Sequence, residues 1–343
     1  MLDKVKRFYW SLKEDIPILR CVFGVTLALI FSTTIGYLVP HITAIFTLMF
    51  LEPNKKPLGL KKEIGIVLGL SLLGYFGVIV GQYLIDYPLV ILPLLGLVIY
   101  WSFRFIKIPE PIRLLFLILA ILIPFISLKA NLLGSVVLSA LLLNLIIALV
   151  VVRISFFIFP ITSQEDQIIE KKKKPLTYKN INLDKLAFNG LVVVFPIVFM
   201  FYLFNATIAI LTLVFVLLLS FDPFIYQSKK GVALVFANVF GGLAGILTYN
   251  ILVIAPSYVL YIFLIISVSF YFVISLYSGK KIAPIFKISF NTFFVVMGVI
   301  STSTNEAGNT IWERLIQIGL AILYVIIAFK IVNTLNNPKL LNE

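Results

Sequence analysis

Long apolar runs separated by short polar segments dominate the chain. A helix that crosses a bilayer needs about 20 apolar residues, and this spacing predicts twelve helices. The second run is short and follows Pro40, which suits a tilted helix or one that enters the membrane without crossing it fully. The predicted helices cover residues 18–38, 40–52, 63–85, 88–104, 112–128, 131–153, 187–204, 206–221, 231–254, 256–277, 284–301 and 311–333.

Composition supports an all-α integral membrane protein. Of the 343 residues, 61% are hydrophobic and 13% are charged. Soluble domains average roughly 45–50% apolar and about 25% charged residues, so the chain lies outside that class. Twelve helices also leave no room for a sizeable soluble domain.

Basic residues predict the orientation of the helices. All 28 Lys and Arg residues except Lys129 and Arg314 fall in the N-terminal segment, the C-terminal tail or alternate loops. Because Lys and Arg accumulate in short cytoplasmic loops, both termini of this multi-pass protein are predicted to be cytoplasmic. The same distribution explains the net charge of +13 without a nucleic-acid partner.

The pattern divides the chain into five segments. Residues 1–17 form a cytoplasmic N-terminal segment, either an interfacial helix or a polar tail, and residues 335–343 form a cytoplasmic tail. Two six-helix halves, 18–159 and 187–334, flank a cytoplasmic linker at 160–186. The linker includes Lys171 to Lys174, which suit a solvated face or a site for anionic membrane lipids.

The two halves resemble each other in sequence. Residues 44–50 and 209–215 share five of seven residues. An acidic-Pro pair follows each segment, then a Lys-Lys pair, then a long helix in which glycines match at an offset of 168 (242 − 74, 245 − 77). The matched residues are Glu52-Pro53 with Asp222-Pro223, Lys61-Lys62 with Lys229-Lys230, Gly74 with Gly242, and Gly77 with Gly245. Since six is an even number of crossings, the two repeats are predicted to be parallel.

Residues 47–81, and again 212–252, carry a family resemblance. A short helix with an internal Thr, an acidic-Pro turn, a basic pair and a long glycine-rich helix follow one another. This order resembles the fusaric acid resistance (FUSC-like) and aromatic acid exporter family of bacterial inner-membrane proteins, in a compact, membrane-only branch. The resemblance therefore implies a location in a bacterial inner membrane. The resemblance implies efflux of small organic, often aromatic, carboxylic acids together with a HlyD-type periplasmic adaptor.

Several polar residues are candidates for transport or proton coupling. Glu52 and Asp222 could accept protons, or could cap their turns and pair with the nearby lysines. Gln82 and Asn250 match at the repeat offset and could contact a substrate or bond across helices (250 − 82 = 168). Arg20 could meet a carboxylate, or anchor the first helix at the membrane surface.

The glycines indicate sites of close helix packing, and the residue types that occur only once exclude some kinds of chemical site. Gly74, Gly77, Gly242 and Gly245 are candidates for close helix packing. The single cysteine, Cys21, and the single histidine, His41, argue against a metal site, and no phosphate-binding glycine loop occurs. We therefore expect no enzyme activity and no cofactor.

Three other classes of membrane protein are alternatives to an exporter. A membrane-embedded transferase would need clustered His, Asp or Arg residues, whereas a scaffold subunit of an envelope complex would need no polar cavity. A major-facilitator transporter shares the six-plus-six layout but would carry a Gly-Asp-Arg-rich loop where residues 52–63 stand. A homo-oligomer is compatible with any of these.

Overall fold

The structure is a computed structural model, and nearly all of the predicted helices lie within the part of the chain that it describes. The described residues are 2–36, 38–53, 55–105, 110–127, 131–161, 165, 183–204, 210–220, 228–280, 282–302, 316, 319–321 and 323–332.

Across these residues the regular structure is entirely helical, which confirms the predicted class. The predicted bounds of the second to eleventh helices lie within five residues of the observed ones. The helices are α1 (Leu2–Ile35), α2 (His41–Phe50), α3 (Leu60–Ile79, continued by a π-helix at Val80–Leu84), α4 (Pro88–Arg104), α5 (Glu110–Ser127), α6 (Asn131–Ile158), α7 (Leu183–Leu203), α8 (Ile210–Ser220), α9 (Ser228–Ile254), α10 (Tyr258–Tyr277), α11 (Ala283–Thr302) and α12 (Gly319–Val332).

Helix length separates two groups. Among the described residues, six helices are long and apolar enough to cross a membrane, in α1, α3, α6, α7, α9 and α10. The apolar stretches of the other helices are shorter, such as Ala283–Gly298 within α11, and α2 has only ten residues, or about 15 Å of helix. These lengths support a multi-pass membrane protein, while the number of crossings stays a prediction.

The first helix is longer than expected. We predicted a separate segment over residues 1–17, but α1 runs from Leu2 to Ile35 as one helix with Pro17 inside it. Lys, Arg, Leu and Glu favour a helix in residues 2–14. Proline removes only one helical hydrogen bond, to the carbonyl of Lys13, so the helix continues through it.

The described helices pack into two compact units, and the first contains α1, α2, α6 from Leu143, α9 from Ala237, α10 and α11. Within this unit, α1 contacts α2, α2 contacts α11, α11 contacts α10, and α10 contacts α1. Unit 1 is therefore built around a closed ring of four helices that includes the short helix α2.

Unit 2 contains α3 from Ile64, α4, α5, α6 up to Leu142, α7, α8, α9 up to Phe236, and α12. It has its own ring, in which α7, α8, α5 and α4 contact one another in turn. Its core is apolar: Leu95, Ile99, Leu117 and Ile121 are fully or almost fully buried. Each unit thus takes helices from both sequence halves.

Candidate functional site

The short helix α2 is the most enclosed element of unit 1. Seven of its ten residues are buried, His41, Thr43 and Thr47 among them. His41 lies against Gly298 of α11, and Glu52, just after α2, binds Lys287 of the same helix. Because contact positions rise along α2 as they fall along α11, the two helices run antiparallel.

A buried amide holds the start of α2. Asn144, which is fully buried near the middle of α6, donates through Nδ2 to the carbonyl oxygen of Leu38 at 3.1 Å. Its Oδ1 accepts a hydrogen bond from the Thr43 hydroxyl. Between these contacts, Val39 has a φ of 61°, which a β-branched residue rarely adopts. The amide therefore fixes a strained turn and the first turn of α2 together.

His41 occupies the first turn of α2 and is nine-tenths buried. Its Nδ1 has no hydrogen-bond partner among the described residues. The imidazole lies so close to Gly298 that a Cβ at that position would overlap Nδ1. Glycine is thus the residue that permits this contact.

Charged side chains lie at the opposite end of α2. The Glu52 carboxylate is 2.6 Å from Nζ of Lys287 and 2.9 Å from Nζ of Lys55. Lys55 also donates to the carbonyl oxygen of Met49 at 2.7 Å, and the Tyr277 hydroxyl of α10 donates to that of Leu51. These contacts tie the end of α2 to α10 and α11.

Arg20 of α1 forms the most buried ion pair. Its guanidinium donates to both carboxylate oxygens of Glu165, at 2.8 and 3.0 Å. It also donates to the carbonyl oxygens of Phe159 and Pro160, just after α6, and stacks on the Phe156 ring. The Arg20 side chain is 4% exposed and that of Glu165 is 13% exposed.

Further polar contacts join other helices of unit 1. Glu63, at the start of α3, is buried and accepts from Arg153 of α6 at 2.7 Å. The Thr292 hydroxyl of α11 donates to Oδ1 of Asn238 on α9 at 2.7 Å. Near it, Gly241 lies directly against the backbone carbonyl of Ser289.

The structure brings some of the predicted candidates together and separates others. Glu52 and Arg20 both lie in unit 1, whereas Asp222 lies outside the described residues. Gln82 is half-buried in the π-helix of unit 2, and Asn250 is exposed in unit 1, so the two residues belong to different units.

The candidate packing glycines are all buried. Gly74 contacts Leu138 of α6, and Gly77 contacts Ile123 of α5. Gly245 contacts Val296 of α11, and Gly242 is buried in the same helix, α9.

The sequence did not predict the contact partners of several candidate residues. We expected Glu52 to pair with Lys61 and Lys62, but it binds Lys55 and Lys287, and the other two lysines are exposed. Glu165, expected on a solvated linker, binds Arg20 across 145 positions of the chain. No local pattern signals such distant partners, although the rarity of His41 and of buried amides draws attention to them.

Comparison with known proteins gives one family match. A family described as "Protein of unknown function (DUF2955)" matches residues 17–155, which begin inside α1 and end inside α6. We found no match among curated proteins or solved structures. The matched stretch covers less than half of the chain and corresponds closely to the first predicted six-helix half.

Proposed function

We propose that the protein is an inner-membrane efflux protein for small organic acids, aromatic carboxylic acids among them, and that the solute passes through unit 1. The observation that carries this proposal is the concentration of buried polar groups around α2. Of the sixteen polar or charged residues that the described part of the chain buries, fourteen lie in unit 1.

The energetic cost of burying polar groups explains why their concentration in unit 1 favours a transport function. Polar and ionisable groups inside a membrane protein are expensive, and they commonly mark pathways for solutes or protons. Short or interrupted helices at corresponding positions of two halves also point to a binding site. The second predicted helix of each half, α2 and α8, has only ten or eleven residues. A scaffold would need neither feature.

The proposed architecture has twelve crossings in two parallel repeats, with both termini cytoplasmic. Support comes from the two helix rings, since each joins the first and second helices of one half to the fourth and fifth of the other. The glycine contacts agree: Gly77 packs on Ile123, and Gly245 packs on Val296 at the matching places in the other half. The family match over one half is compatible with a six-helix repeat.

Substrate class and partner rest on the resemblance to the aromatic acid exporters. The proposed partner is a HlyD-type periplasmic adaptor that leads the acid onward. Lys55 and Lys287 share the single carboxylate of Glu52, and the net positive charge that remains at the predicted cytoplasmic end of unit 1 would attract an organic anion. No catalytic step is part of the proposal.

Cellular accumulation of a labelled aromatic carboxylic acid tests the function. Cells that contain the protein should retain less of the acid than cells without it. Glu52→Gln should abolish the difference, because it removes the charge that holds both lysines. Asp222→Asn is expected to act in the same way if the two halves share this role. Deletion of the adaptor should abolish export for every variant.

Asp184→Asn is the matched control. It removes a carboxylate from unit 2, where Asp184 is 62% exposed beside Arg104, and export should persist. Equal accumulation with and without the protein, over a panel of acids and with the protein present in the membrane, would contradict the efflux function and favour a scaffold.

A further inference from the structure

Among the described residues, His41 takes part in none of the ion pairs of unit 1. Those pairs lie near the end of α6 or just after α2, whereas His41 begins α2. They are Arg20 with Glu165, Glu63 with Arg153, and Glu52 with Lys55 and Lys287. Helix α10 carries no charged residue. The charged residues described on α6 and α11, Arg153 and Lys287, pair with Glu63 and Glu52 instead.

The contact with Gly298 suits a neutral imidazole. A neutral ring has one N–H donor and one acceptor nitrogen, so Nδ1 can face Gly298 without a proton. An imidazolium has donors at both nitrogens, and Nδ1–H would then face Gly298, where Nδ1 has no hydrogen-bond partner among the described residues. A buried charge without a counter-ion is also strongly unfavourable.

We propose that His41 is a proton-binding site: the neutral imidazole packs α2 against Gly298 of α11, and proton uptake at Nδ1 separates the two helices. Water or a solute anion reaches the charged ring only once it has left Gly298. Separation also releases the strained turn at Val39, which holds the start of α2. The proposal requires no particular substrate and stands apart from the efflux function.

A buried reporter cysteine makes the separation measurable. Ala44, fully buried one turn after His41, is replaced by Cys in a Cys21→Ser background, which removes the native thiol. Maleimide labelling of the purified full-length protein is measured between about pH 8 and pH 5, the range in which histidine titrates. Lys61→Cys, at an exposed position, corrects for the pH dependence of thiol reactivity itself.

Acidification should raise the labelling rate of the cysteine at position 44, relative to that at position 61, by about tenfold. This is the change in the population of separated helices that one pH unit can bring. His41→Gln should remove this rise, since glutamine occupies the site without binding a proton. A flat ratio in the parent protein, or an undiminished rise in the His41→Gln protein, would overturn the proposal.

A second variant tests the contact without altering His41. Gly298→Ala places a methyl group where Nδ1 lies, so the reporter should label rapidly already at about pH 8. Labelling as slow as in the parent at that pH would show that the contact does not hold the helices together, and would equally overturn the proposal. If His41→Gln does not yield a monodisperse protein, this variant decides the outcome.

Discussion

Units 1 and 2 share one arrangement of four helices but differ in what they bury. Unit 1 encloses fourteen of the sixteen buried polar or charged residues among those described. The two in unit 2, Ser127 and Ser220, donate only to carbonyls of their own helices. Packing of four helices in a membrane therefore does not itself require buried amides or ion pairs, and their presence in unit 1 calls for a functional reason.

Ion pairs sharpen the contrast. In unit 1, Arg20 and Glu165 are almost fully buried, whereas Arg104 and Asp184 of unit 2 are 40% and 62% exposed. An exposed ion pair replaces contacts with water by a contact with its partner, and it stabilises the fold little. Removal of one member of a buried pair leaves the other charge buried and unpaired.

The largest expected effect follows from this difference. Glu165→Gln leaves the Arg20 guanidinium buried without a counter-ion, so it should lower the free energy of unfolding by about 3–5 kcal/mol. Asp184→Asn in unit 2 should cost less than about 1 kcal/mol. Denaturant unfolding in detergent measures the free energy of unfolding of both variants. Equal losses of free energy would contradict the distinction between the units.

Close helix approach gives a smaller effect. Gly241→Ala pushes a methyl group into the backbone of Ser289, which cannot turn aside, and should cost about 1–3 kcal/mol. Gly96→Ala in unit 2 meets the Phe195 ring at 3.4 Å and the Leu191 side chain at 3.9 Å, which are ordinary contacts. Thermal unfolding should show a loss for the first variant alone, and a comparable loss for Gly96→Ala would contradict the assignment.

The smallest effect concerns a single hydrogen bond. Thr292→Val keeps the shape of the side chain but removes its donation to Asn238, and should cost about 0.6 kcal/mol, the average for polar contacts between membrane helices. Ser220→Ala removes a bond within one helix and should cost less. A double-mutant cycle with Asn238→Leu isolates the contact; zero coupling would mean that this bond adds nothing to unit 1.

Local sequence predicted the helices well and the partners poorly. Helix α4 begins and ends at the predicted residues because Pro88 and Arg104 bound a continuous apolar run. The first apolar run predicted a helix from residue 18, whereas α1 begins at Leu2, because the residues before Pro17 also favour a helix and continue into it. For both helices, the prediction of the helix bounds depends on residues within a few positions of each end.

The site required information that no short segment holds. Glu52 was singled out from the sequence, but its partner Lys287 lies on a helix of the other half. As the single histidine, His41 argued against a metal site, and only the packing of Gly298 against it shows that Nδ1 is enclosed. The interleaving of both halves in each unit could not be deduced from apolar periodicity, which says which face is buried but not against what.

The π-helix at Val80–Leu84 changes how the halves are superposed. A π turn holds more residues than an α turn, so the face presented after it is rotated by about 100°, as if one residue had been inserted. Helix α9 has no such segment along Ser228–Ile254. In the proposed repeat, a fixed offset therefore aligns Gly77 with Gly245 but loses register beyond them, and the half-buried Gln82 would then correspond to the half-buried Tyr249 rather than to the exposed Asn250.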